Sequence, residues 1–443
     1  MGNRKIGFWG AVACTLMFSL PALAQQPRAK SLPKGAYAEN VEFVGFTNVD
    51  GHFPFKISIQ EASDGHWYLY AGAQDDRGWS VLDVTKPADP TVVNWIPGPK
   101  NTRTGQVDIA DGIMITGLER SQFGGDTDPN APWDDGVLIW SLADPVHPKL
   151  LGQWKTWGGL GTHRDGYYGG RYVHLAAGMR GYSGNIYVII DIADPAHPVE
   201  VSRWVLPGLE LPDPNAQNTA YPHGAGLHGP PVPVGNLVYL PYGKKFVILD
   251  ISDIKHPKEV SEITFDPPFH LGFAVHTVLP FPSRKIVETN SESFGANCAE
   301  GPSQVSLIDV ADPAKPKILS FLPTPVAPPG APYKDFCHKG GDFGAHNVNM
   351  LFHNPYVDHS DNILYQTWVN AGLRIYDISD AYQPREIGYF IPPDPPAGAK
   401  RHSIDAADVL VDTRGYIYVT DRSQGIWVLR YTGPKPGPAI PVH

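Results

Sequence analysis

The sequence is short of three things, and each shortage narrows what the chain can be. It is short of long apolar runs. Beyond the first 24 residues no stretch reaches the roughly 20 apolar residues that a membrane-spanning helix needs. It is short of positive charge. With 35 Lys+Arg against 45 Asp+Glu the formal net charge is −10. That argues against nucleic acid and against anionic membrane surfaces as partners, because both require a basic face. It is short of cysteine, with only Cys14, Cys298 and Cys337 in 443 residues.

The first 24 residues read as a secretory signal peptide. Arg4 and Lys5 form a charged start, Ile6 to Leu20 is apolar, and Ala22-Leu23-Ala24 is an A-x-A cleavage site before Gln25. Loss of Arg4 and Lys5 takes the net charge from −10 to about −12. A periplasmic or secreted protein is expected. Cys14 leaves with the leader, so Cys298 and Cys337 are either one disulfide in an oxidising compartment or two separate thiols. The 45 prolines and 46 glycines are many for a helical protein. Short runs rich in Val, Ile, Tyr, Trp and Phe lie between them. This predicts an all-β fold of many short strands.

One phrase recurs: SVLDVTKPADP (80–90), VLIWSLADPVHP (137–148), YVIIDIADPAHP (187–198), FVILDISDIKHP (246–257), VSLIDVADPAKP (305–316) and LRIYDISDAYQP (373–384). A weaker copy is IWVLRYTGPKPG (426–437). The closing prolines at 90, 148, 198, 257, 316 and 384 recur every 50 to 70 residues. That period suits propeller blades better than a helical solenoid. Each unit offers four strands joined by Gly-, Asp- and Pro-bearing turns. Residues 41–48, VEFVGFTN, look like an outer strand with no partners before it. The expected architecture is a seven-bladed β-propeller of four-stranded antiparallel blades. Strand 41–48 would complete the last blade, with 25–40 as an extension and 41–443 as one domain. The phrase LxIxDxxDPxxP resembles the LVIVD repeat of secreted bacterial β-propellers. That resemblance implies the fold and leaves the chemistry open, because propellers carry many functions.

Aligning the innermost strands gives one equivalent position per unit: Lys56, Gln106, His163, His228, His276, His346 and Asp408. Four adjacent units therefore aim a histidine at one axis. Imidazole is a common ligand for Zn, Cu and Fe. A transition-metal site of His163, His228, His276 and His346 is expected, the ion being Fe, Cu, Mn or Zn. Asp408 is a further ligand or orienter. Glu288 and Glu292 are expected as supporting carboxylates or acid/base groups. Arg120, Arg164, Arg180 and Arg422 suit an anionic group. Glu288, Asp408 and Arg180 are the expected catalytic set. His223, His270, His338 and His402 fall in loops before the ring positions, whereas His147, His197 and His256 belong to the repeat's turn.

Trp79, Trp133, Trp157, Tyr167, Tyr168, Phe294 and Trp368 are expected to line an aromatic mouth. The expected function is a metal-dependent enzyme acting on a small aromatic or anionic organic molecule. Redox or lyase chemistry suits an imidazole site better than hydrolysis does. A non-catalytic binding scaffold is the alternative, and a monomer is the default state.

Overall fold

The computed structural model describes residues 1–2, 30–73, 76–120, 132–216, 226–269, 271–399 and 401–442. Residues 3–24 of the expected leader with its cleavage site, together with His223 and His270, lie outside the described residues. The described chain is a series of antiparallel meanders. Pro54–Glu61, Trp67–Ala73, Gly78–Asp83 and Thr91–Pro97 form the first. A nine-stranded sheet follows. It joins two meanders where Gly161 pairs with Glu119, the joining strands being Ile113–Arg120 and Gly161–Gly166. Separate sheets begin at Val232–Val234, Phe273–Phe281, Ala345–Val348 and Ala406–Val411. In the last of these Val41–Thr47 supplies the outer strand, pairing with Gly425–Tyr431. No helix among the described residues is long and apolar enough to cross a membrane.

The repeat phrase has a local cause. Its first aspartate accepts from the backbone N–H two residues on, as Asp191 does from Ala193 and Asp309 from Ala311. Its second does the same, as Asp194 does from Ala196 and Asp312 from Ala314. Two successive Asx turns reverse the chain between the third and fourth strands. His147, His197 and His256 each set Nδ1 against the turn aspartate three residues earlier, at 3.2, 2.9 and 2.8 Å. They are parts of the turn.

Neighbouring sheets are tied by a second recurring contact. On the outer strands the side chains of Asn94, Ser202, Ser261 and Ser320 donate to carbonyls in the next sheet's turn, those of Val146, Ile254, Pro313 and Ala381. Where the equivalent residue is Gly152 or Gly45, the approach is closer still. A Cβ there would lie 2.1 Å from the Pro195 carbonyl or 2.6 Å from that of Pro87. Only glycine fits such a contact. Val, Ile, Leu and aromatic side chains between the sheets make the core. Trp79 belongs there, edge-on to Trp140 with its indole N–H on the Gln106 carbonyl. Tyr167 and Trp368 are likewise buried.

The position expected to add Asp408 to the site serves the fold instead. Its Oδ2 accepts from the Ile57 N–H at 3.0 Å and its Oδ1 from Lys56 Nζ at 3.3 Å. These bonds tie the last sheet to the first, and both side chains are buried. Removing one partner of a buried pair leaves the other charge stranded, at a cost of about 3–5 kcal/mol. Asp408→Ala should therefore lose about 3 kcal/mol or more of unfolding free energy in urea titrations. A loss below about 1 kcal/mol, the range of exposed pairs, would contradict this role.

Candidate metal centre

The site arises from one distortion of the sheet. At the head of the innermost strand the ladder to the second strand slips, so that residues there go unpaired. The slip falls between Thr162 and Arg164, between Phe273 and Thr277, and between Ala345 and Val348. His163, His276 and His346 sit within those slips. The unpaired residue turns its side chain off the ladder and into the interior. His228 reaches the same level without a strand. Its N–H donates to the Pro241 carbonyl at 3.2 Å, and the Leu227–Tyr242 bridge beside that bond fixes its position.

The four rings follow one another, with centroids 4.3 Å apart for His163 and His228, 4.9 Å for His228 and His276, and 4.7 Å for His276 and His346. They converge on Glu292, the last residue of the strand Ile286–Glu292. Glu292 Oε2 lies 2.9 Å from His228 Nε2 and 3.2 Å from His276 Nε2. Its Oε1 lies 3.2 Å from His346 Nε2. His163 Nε2 is 3.3 Å from His228 Nε2. His228, His276 and Glu292 bring one donor atom each within 4.8 Å of one another. All five side chains are buried.

The far nitrogens show which atoms face inward. His346 Nδ1 meets the Ala407 carbonyl, which can only accept, so Nδ1 carries the proton. His163 Nδ1 meets Glu119 Oε1 at 2.8 Å, and Glu119 is itself held by Arg103 at 2.8 Å. His276 Nδ1 meets the Thr277 hydroxyl at 2.7 Å. In neutral rings the inward nitrogens of His163 and His346 are therefore lone pairs. Burial keeps His163 neutral, pushing it down to about 3 despite Glu119. Burial likewise lowers His228 and His276. For Glu292 burial acts upward, but His276, His228 and His346 outweigh it and hold the carboxyl well below its usual range. The carboxyl thus faces inward nitrogens, and His228 Nε2, hydrogen-bonded to the His163 lone pair, is the donor of that contact. Glu292 Oε2 and His346 Nε2 have no aligned hydrogen bond despite these short separations. Such a cluster of imidazole nitrogens around one carboxylate is a donor set for a metal ion.

The structure places the other expected residues elsewhere. Glu288 is four residues before Glu292 on the same face of the strand, is fully buried, and has no hydrogen bond to either carboxyl oxygen among the described residues. Burial pushes it well above the carboxylate range. Arg180 is exposed, with Nε 3.5 Å from the Gly158 carbonyl. Among the described residues it makes no hydrogen bond with the four histidines. Asp408 is committed to Lys56 and Ile57, as above. Of the expected aromatic mouth, Trp157 and Phe294 are the exposed members, at 72% and 45%. Tyr168 packs on Phe352 and His353.

Sequence reasoning missed Phe55 and Phe273. Phe273 lies 3.7 Å from the His228 ring, and Phe55 meets His346 edge-on at 5.6 Å. The repeat alignment carries both, since each lies within three residues of a ring position. The Cys298–Cys337 disulfide is formed. It anchors the loop that follows Glu292 to the short helix Phe336–Lys339, and Phe294 in that loop packs on Phe273 and His228.

The sequence profile of the LVIVD repeat matches residues 181–205 and 234–264, so the chain carries this repeat. No curated protein matches the sequence. Among solved structures the chain is similar to the periplasmic gluconolactonase of Pseudomonas aeruginosa. The TM-score is 0.50 at 12% identity, covering 86% of this chain and 98% of that one. It is also similar to a hypothetical selenium-binding protein from Sulfolobus tokodaii. There the TM-score is 0.51 at 11% identity, covering 88% of this chain and 96% of that one. These likenesses show a propeller-like, all-β fold and nothing of the chemistry.

The lowered titration of His163 has a pH signature. His163 is lowered in the fold to about 3, while an unfolded histidine titrates near 6.5. Between those values the unfolded chain binds the extra proton, so acid favours unfolding. In metal-free protein, wild type should lose stability relative to His163→Gln as pH falls below about 6.5, by up to about 1.4 kcal/mol per pH unit. Urea titrations of both at several pH values measure this. Parallel profiles would contradict a neutral His163.

Proposed function

We propose that this protein is an exported enzyme built on a seven-bladed propeller, with a transition-metal ion held by His228, His276 and Glu292 and completed by His163 and His346. Residues 1–24 would be its leader and 41–443 its single domain. The ladder of Val41–Thr47 with Gly425–Tyr431 supports closure of the ring by the N-terminal strand. One observation carries the metal reading: His228, His276 and Glu292, all buried, bring one donor atom each within 4.8 Å of one another, with His163 and His346 beside them.

The donor set fits such an ion. Imidazole nitrogens with one carboxylate suit Fe, Cu, Mn and Zn. Bonds of about 2.1 Å separate neighbouring donors by roughly 3.0–3.4 Å, close to the 2.9–3.3 Å separations here. When bound, the ion would supply Lewis acidity or electron transfer to a small organic substrate, and redox or lyase chemistry is the reading this set favours. The chain's own residues do the rest. Glu119 and the Ala407 carbonyl fix the tautomers of His163 and His346, the supporting contacts that raise ligand basicity. Phe273 and Phe294 wall the side of His228. The disulfide fixes the loop that carries Phe294. Glu288 and Asp408 take no part.

Elemental analysis of purified wild type should find about one equivalent of a transition metal. His228→Ala, His276→Ala and Glu292→Gln should each fall below about a tenth of that while keeping the wild-type circular dichroism. Wild type that takes up no metal on reconstitution would favour a non-catalytic scaffold. A milder change tests the support. Glu119→Gln should weaken metal retention about 10- to 100-fold in chelator competition, and unchanged retention would contradict its orienting role.

A further inference from the structure

Among the described residues, Arg164 is the cation of this centre that has no carboxylate of its own. It follows His163 directly, and it is 3% exposed. Its Nη2 lies 3.1 Å from His276 Nε2, so its guanidinium reaches the inward face of the histidines. Its Nε and Nη1 are buried with no hydrogen-bond partner. An unmet guanidinium N–H in the interior is costly, so its donors call for an acceptor.

The surroundings sharpen the case. Three guanidinium groups gather around the Phe55 ring, those of Arg103, Arg164 and Arg422, at 5.4, 5.0 and 5.5 Å from its centroid. Arg103 pairs with Glu119 at 2.8 Å and Arg422 with Asp405 at 2.5 Å. Arg164 makes no ion pair among the described residues: the ring lies beneath it and the His276 nitrogen beside it, while Glu292, Glu119 and Asp408 attract it from farther off.

Ion binding would create a charge imbalance. With neutral imidazoles, Glu119 and Glu292 offset Arg103 and Arg164, and Lys56 offsets Asp408. A divalent ion would then leave the centre two charges positive. It would also take the His276 lone pair that Nη2 now faces, freeing a third donor nitrogen. A buried centre with excess positive charge and a free guanidinium edge is suited to an anion.

We propose that Arg164 anchors the anionic group of the substrate, a carboxylate on a small organic acid, beside the metal position. This inference rests on the metal reading above. The planar fork of arginine matches a carboxylate in a way that lysine does not. Phe55 holds the guanidinium plane from one side, as a cation–π support. An uncharged isostere would leave both the guanidinium and the excess charge uncompensated.

The test uses acetate as probe and acetamide as its uncharged control. Calorimetric titrations are run on the full chain loaded with metal, with metal content measured for each sample and affinity expressed per loaded site. Wild type should bind acetate at least about tenfold more tightly than acetamide. Arg164→Met should weaken acetate at least about tenfold while leaving acetamide unchanged. Arg164→Lys keeps the charge without the fork and should fall between, and it carries the test if the Met variant does not fold. Loaded wild type that does not bind acetate, or that binds it as tightly as both variants do, overturns the anchor alone. Wild type that takes up no metal overturns the metal reading and this inference with it.

Discussion

The structure depends on a carboxylate that has been taken out of water. Glu292 is buried where imidazoles from four successive repeat units meet. An ionised carboxylate in such a place needs compensation. The histidines, which hold the carboxyl low, and the attraction of Arg164, whose Nη2 faces His276, supply it in part. The donor set also suits a metal ion, and Glu119 and the Ala407 carbonyl occupy the outward nitrogens of His163 and His346.

The scaffold is what makes that arrangement repeatable. Two Asx turns per repeat fix where each outer strand begins. A side chain or a bare glycine on the outer strand then docks against the next sheet's turn. At the other edge of the sheet, a slip in the inner ladder points one side chain off the strand. The same slip recurs in the first sheet, where it spans Lys56, and in the last, where it ends at Asp408. There its products are structural bonds rather than ligands. One local geometry thus serves the site in some units and the seam in others.

Much of this was legible in the sequence. The repeated Asp-x-x-Asp-Pro phrase carried the period, because its turn chemistry is local. The equivalent histidines could be aligned because the repeat fixes their register. What the alignment could not rank was the set of carboxylates. Glu288 and Glu292 share one strand face, and only the position of each along the strand separates a buried acid without a hydrogen bond from the centre of the cluster. Asp408 shares the ring position, yet a lysine on the adjoining sheet captures it. The aromatic residues divided for a similar reason. Trp79, Tyr167 and Trp368 pack between sheets, a matter of tertiary contact that residue type alone does not reveal.

The most direct measurement is an anomalous difference map from crystals of the metal-reconstituted protein, collected at the absorption edge of the ion. One dominant peak is expected within bonding distance of His228 Nε2, His276 Nε2 and a Glu292 oxygen. A peak at the repeat's turn histidines, or a cluster that stays free of the ion while the protein retains it elsewhere, would contradict a metal centre at Glu292.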